Sequence, residues 1–155
     1  MVKGRKTPTS DASVGKADFV LATAPGHLLR RCQQRAVELY IQEVGADGPT
    51  PQQFAVLLSI GQNPGSNQID LVRLTGIDRS TLAEIIARLI KREVIRRRRT
   101  EQDGRTNELH LTPTGESLLT AALPRVRRAQ ARILAPLPAK RRQALLAALR
   151  ILAGV

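Results

Sequence analysis

Apolar positions recur at helical spacing along most of the chain and at strand spacing once. Leu21, Leu28, Cys32, Ala36 and Leu39 fall at steps of three, four and seven, predicting a helix from about Thr23 to Val44 with Cys32 on its apolar seam. Gly45, Gly48 and Pro49 end it. Thr50 caps a second helix with Pro51 in its first turn and Phe54, Leu57, Leu58 and Ile60 as its apolar face. Ser66 is expected to cap a short third helix carrying Ile69, Val72 and Leu74. After a tight turn at Thr75-Gly76, Asp78 caps a fourth, whose Leu82, Ile85, Ile86 and Leu89 share one face. The opposite face displays Arg79, Ser80, Thr81, Glu84, Arg88 and Lys91.

Two strands follow, Val94–Thr100 and Thr106–Leu111, joined by the turn sequence Glu101-Gln-Asp-Gly-Arg105. Thr112-Pro113 opens a fifth helix, which Pro124 is expected to kink or split. A last helix runs from about Pro138 to Leu152. The fold class is therefore mainly α with a small β-hairpin. Residues 1–18 carry few apolar groups and are expected to form a flexible basic arm.

The chain's 155 residues suit one domain with an arm, and an apolar share of 42 % is enough for a core. Its formal charge of +12 favours a polyanionic partner. The charge lies in two blocks: net +5 over residues 88–105 and net +8 over residues 125–155. Phe19, Tyr40 and Phe54 are the three aromatic rings and none adjoins a basic run, so a duplex is favoured over a single strand gripped by stacking. Cys32 alone cannot form an internal disulfide, and no Cys/His spacing suits zinc. With no apolar run of membrane length and no signal-peptide core, the chain reads as cytoplasmic, without membrane association.

Helix, tight turn, helix and basic hairpin form the one arrangement with a specific functional meaning. Residues 66–91 read as a helix-turn-helix whose second helix can enter a major groove. Arg79 and Arg88 can each bond a guanine edge with two donors, while Ser80 and Thr81 serve several bases or phosphates. The bland alternative is the solvated face of an amphipathic helix. The run Arg96-Arg97-Arg98-Arg99 tilts the balance, since adjacent like charges become tolerable beside a polyanion. Arg105 at the hairpin tip suits a minor groove, with Asp103 to orient its guanidinium. The candidate DNA contacts are thus Ser66, Gln68, Arg79, Ser80, Thr81, Arg88, Arg97, Arg99, Asp103 and Arg105.

The segments Leu71-Val-Arg-Leu-Thr-Gly-Ile-Asp-Arg-Ser-Thr-Leu, Leu89-Ile-Lys-Arg-Glu-Val-Ile-Arg-Arg, Asp103-Gly-Arg and Leu111-Thr-Pro-Thr-Gly resemble the MarR family of bacterial transcriptional regulators. The resemblance covers residues 20–155. It implies a winged helix-turn-helix over residues 49–112, a first dimerisation helix within 19–48 and further dimerisation helices in 113–155. It also implies a homodimer, a palindromic operator in double-stranded DNA, and an aromatic effector that releases DNA. Recognition helices would then stand about one DNA turn, roughly 34 Å, apart. One departure stands out: Glu93 occupies a place where the family commonly has a helix-ending Gly.

The dimer also has a basis in the residues, because Leu145, Leu146, Leu149, Ile151 and Leu152 exceed what one narrow stripe needs. The wealth of arginine suggests an anionic effector, such as an acyl- or aryl-coenzyme A thioester, meeting His27, Arg30, Arg31 and Gln34. Competing readings are a nonspecific architectural DNA- or RNA-binding protein and, for Cys32, oxidant sensing as against an inert core thiol. No catalytic, cofactor or metal motif is visible, so an enzyme is not expected.

Overall fold

The computed structural model describes residues 19–99 and 107–155. The chain divides into two compact units, Met1–Gln34 and Arg35–Val155. In the first, a single 3₁₀ turn, Leu21–Thr23, precedes helix α1, Pro25–Val44, which continues into the second unit. Residues 19–34 bury no side chain in the isolated chain, and Cys32 is exposed. The expected seam through Leu28 and Cys32 is therefore open, and it closes only from Leu39 onward.

The second unit continues through α2 (Pro51–Gln62), α3 (Gln68–Thr75), α4 (Arg79–Lys91), strands β1 (Ile95–Arg99) and β2 (Asn107–Leu111), α5 (Pro113–Leu134) and α6 (Ala139–Ala153). Local chemistry sets most boundaries. Thr50 and Gln53 form a reciprocal capping box at the start of α2, with Pro51 in the first turn. Asn67 caps α3 by accepting from the N–H groups of Ile69 and Asp70, so the expected cap at Ser66 is off by one residue. Gly76 ends α3 in the left-handed conformation, φ 68°, which glycine adopts without steric cost.

One core fills the space beneath α2, α3, α4 and the hairpin. Leu57, Leu71, Leu82, Ile86, Ile95 and Leu109 lie at its centre, all fully buried. On α3 Leu71 is fully buried and Val72 packs partly against the core as expected, while Ile69 and Leu74 turn outward, correcting the expected face at those two positions. A second cluster joins the end of α1 to α2 and α5 through Tyr40, Val44, Phe54, Ala122 and Val126. Tyr40 donates its hydroxyl to the Pro49 carbonyl at 2.9 Å, and burial pushes its pKa up to about 12. The C-terminal arginines have work in this corner. Arg125 donates to the Val44 carbonyl at 3.1 Å, while Arg128 and Arg132 grip the Glu43 carboxylate at 3.1 and 2.8 Å. Cations at the carbonyl end of α1 suit its dipole. The hydrogen bonds from Arg132 and Arg128 hold the Glu43 carboxyl below its ordinary range.

Helix α5 runs unbroken through Pro124. Pro124 and Thr120, whose carbonyl loses its intrahelical partner, both lie on the exposed side where water can replace the bond. Helix α6 buries none of its residues and packs extensively against no other element among the described residues.

Candidate nucleic-acid interface

The interface begins with how α4 is held. Asp78 accepts the Thr81 N–H at 2.9 Å and the Ser80 hydroxyl at 2.6 Å. These hydrogen bonds, that from Ser80 foremost, keep the Asp78 carboxyl well below the usual carboxylate range. A permanent anion thus stands at the positive end of α4. Ser80 spends its proton on Asp78, so toward a base it is left as an acceptor. Gln68 donates its side-chain amide to the Arg79 carbonyl at 3.2 Å, tying the start of α3 to the start of α4.

At 100° per residue, the buried Leu82, Ile85, Ile86 and Leu89 define the inner face of α4, and the centre of the outer face carries Ser80, Glu84, Ala87 and Lys91. Arg88 stands toward one edge of that outer face, while Arg79, about 180° from it and seven residues before Ile86, is exposed as the first residue of the helix. The helix thus carries one exposed cation at its first residue and another, Arg88, in its last turn, which suits the phosphates that border a major groove. Glu84 at the centre, missed among the sequence candidates, can accept from a cytosine amino group. Its ion pair with Arg88, 3.8 Å long between largely exposed groups, is weak enough to exchange for such a contact. Thr81 is half-buried beside the inner face.

The hairpin is locked to the helices from both ends. β1 and β2 pair antiparallel, Ile95 opposite Leu111 and Arg97 opposite Leu109. Leu109 also exchanges backbone hydrogen bonds with the loop before α3, donating to Ser66 and accepting from Gly65. Ser66 is buried as a result, and its hydroxyl donates to the Asn63 carbonyl at 2.6 Å. It belongs to the scaffold, and its expected DNA contact is withdrawn for that reason.

At the hairpin's other end, Thr112 caps α5 and also donates to the carbonyls of Glu93 and Val94, at 2.6 and 3.0 Å. A Cβ on Gly115 would stand 2.1 Å from the Val94 carbonyl oxygen, so only glycine fits that crossing. The Leu111-Thr-Pro-Thr-Gly115 motif is thus a clamp between the wing and α5. Glu93 answers the departure noted in the sequence. It adopts the left-handed conformation, φ 56°, and its N–H and that of Val94 cap the carbonyls of Ile90 and Leu89. Helix α4 ends as it would with glycine, at a steric cost in a residue bearing a Cβ.

Arg96 and Arg98 take one side of β1, while Arg97 takes the other by strand alternation. Arg96, Arg97 and Arg98 are exposed. Asp103 and Arg105, expected at the wing tip, lie outside the described residues. His27, Arg30, Arg31 and Gln34 all lie on α1, His27 and Arg31 one turn apart, Arg30 and Gln34 likewise. Arg30 approaches the His27 ring at 3.5 Å. A separate cleft of about 570 Å³ lies beside the wing root, bearing Gln62, Arg96, His110, Glu116 and Thr120 over Leu58 and Leu119.

No group of three or more metal-ligating side chains occurs among the described residues, and no described helix is long and apolar enough to cross a membrane.

Helix, left-handed turn, capped outward-facing helix and cationic hairpin together define a winged-helix DNA-binding protein. A model of the MarR family matches residues 47–106. The HTH-type transcriptional repressor NicR of Pseudomonas putida is 30% identical over 94% of this chain and 92% of its own. The PcaV transcriptional regulator of Streptomyces coelicolor, solved with its natural ligand, superposes with a TM-score of 0.82 at 36% identity, over 88% of this chain and 96% of its own. The repressor CouR bound to a 23-mer DNA duplex gives 0.79 at 34% identity, over 86% and 94%. CouR has also been solved with p-coumaroyl-CoA, at a TM-score of 0.78 and 32% identity over the same shares. The chain belongs to the MarR family of transcriptional regulators.

Proposed function

We propose that the protein is a repressor that binds a palindromic operator as a homodimer and is released by a small anionic aromatic effector. The observation that carries the DNA reading is the outer face of α4, with Arg79 exposed at the helix start, Arg88 toward its edge and the arginine strand held beside it. Gln68, Ser80, Thr81, Arg97 and Arg99 complete the proposed contacts, with Asp103 and Arg105 at the wing tip and Glu84 added.

The homodimer rests on apolar surface the chain leaves uncovered. Leu149, Ile151, Leu152 and Val155 are exposed at one end of the sequence, and Phe19, Val20, Leu28 and Leu29 at the other. A second copy covers such surface and pairs two recognition helices. The dimerisation helices then lie in 19–48 and 113–155 and the DNA-binding half in 49–112.

The aromatic effector is supported by the relative solved with p-coumaroyl-CoA. We assign its acidic end to His27, Arg30, Arg31 and Gln34. The wing-root cleft is less suited to an anion, because Glu116 stands in it beside Arg96. Calorimetry with p-coumaroyl-CoA and its free acid tests the effector class, and absence of heat from both removes it.

Selection of bound sequences from a random duplex pool tests the whole reading. A palindrome preferred over bulk DNA by three or more orders of magnitude is the expected result. Equal affinity for all duplexes would reassign the protein to nonspecific architectural binding. Arg79→Ala should relax preference at one position per half-site by about 1–3 kcal/mol if it bonds a base edge.

A further inference from the structure

The most exposed large apolar residue of the helix-turn-helix is Ile69, at 75 %, in the first turn of α3. Nothing in the fold's stability accounts for it. A β-branched residue disfavours a helix slightly, and Ile69 contributes little buried surface. It stands in a shallow recess whose other walls are Gln68, Val72 and Arg79. Val72 and Arg73 lie three and four residues on, so they share its face of α3. The recess has a fixed shape, because Gln68 is held by its hydrogen bond to the Arg79 carbonyl.

We infer that this recess reads the 5-methyl group of a thymine in the major groove, next to the base pair or phosphate met by Arg79. The inference rests on the DNA reading above. Its occupant follows from the surroundings. The apolar spot has the guanidinium-bearing Arg79 in its wall, which repels a cationic partner and attracts a phosphate-bearing one, while Arg73 on the same helix is paired with Asp70 at 3.7 Å. The thymine methyl is the one apolar group that a duplex offers in its major groove. Ile69 thus acts as a specificity residue on the helix that precedes the recognition helix.

The test uses the full-length protein and the palindrome enriched from a random duplex pool. Each thymine of the half-site is replaced in turn by deoxyuridine, which removes only the methyl group. One symmetric thymine pair should weaken binding by about fourfold per half-site, the worth of one buried methyl-sized group. Ile69→Ala should bind the unmodified operator correspondingly less well and become indifferent to that replacement, with an unchanged melting temperature. Methyl sensitivity that persists unchanged in Ile69→Ala would overturn the inference, as would no sensitivity at any thymine of the wild-type complex. Enrichment of no sequence would instead sink the regulator reading, and this inference with it. Should the alanine variant fold poorly, the deoxyuridine scan compared between wild type and Ile69→Val decides, since valine should keep the effect.

Discussion

Helices α4 and α6 are built from similar material and end in opposite situations. Each has five large apolar residues, and the cations number three in α4 and four in α6. Helix α4 fully buries Leu82, Ile85, Ile86 and Leu89, whereas α6 buries nothing. The difference lies in angular spread. The large apolar residues of α4 fall within an arc of about 140°, while those of α6 spread over about 220°. A narrow stripe can be satisfied by one neighbouring core and leaves a clean polar face for DNA. A broad one needs covering from more than one side. The start of α6 makes the same point, since Lys140, Arg141 and Arg142 oppose its dipole. Arg142 donates to the Leu137 carbonyl instead, just outside the helix.

The contrast breaks most visibly if α6 proves self-sufficient. Leu145→Asp combined with Leu149→Asp should give a monomer by light scattering and lower operator affinity by roughly two orders of magnitude or more, since two linked half-sites bind far better than one. A persistent dimer with full affinity would show that α6 is not the surface that pairs the two copies. Around α4, by contrast, intrachain packing decides. Gly115→Ala should destabilise the fold by about 1–3 kcal/mol in urea titration, because the added methyl meets the Val94 carbonyl. Unchanged stability would mean the crossing of α5 and β1 is looser than described.

Smaller effects sharpen the picture. Glu93→Gly should raise stability by about 0.5–1 kcal/mol, the relief of a left-handed residue offset by a more flexible unfolded chain. Sequence preference for DNA should stay the same, because the end of α4 is already shaped as glycine would shape it. A fall in stability would deny the strain. Last is the pH dependence of Asp78. Its carboxyl is held low in the folded state, so its contribution is present at neutral pH and is lost as pH falls below about 4 toward the folded value. Asp78→Asn, which can still cap, should unfold less steeply with acid than the wild type over that window. Parallel acid profiles would show that Asp78 does not hold α4 through its charge.

Residues whose role depends on near neighbours were readable in advance. The quartet of α4, the Thr50 cap, the Gly76 turn and the two-stranded wing follow from spacing within a few residues. Ser66 and Asn67 were not separable in this way. Both are competent caps, and the choice fell to Asn67 because Leu109, more than forty residues on, draws Ser66 inward. Ile69 looked like core for the same reason that Leu71 did not: over eight residues an apolar stripe has too few turns to fix its phase. The arginines of α5 could not be assigned from their run of charge, because Glu43 and Val44 lie some eighty residues earlier.

Periodicity and capping chemistry alone determined the order of elements, the inner face of α4 and the cationic wing, since a helix or turn is decided by contacts within about one turn of chain. Tertiary packing alone decided which polar side chains remained free to meet DNA. The hydrogen bonds of Leu109 to the loop before α3 inter Ser66, and the Gln68 bond to Arg79 shapes the recess at Ile69. A side chain's availability depends on every group that folding brings within hydrogen-bond reach, and distance along the chain does not encode that.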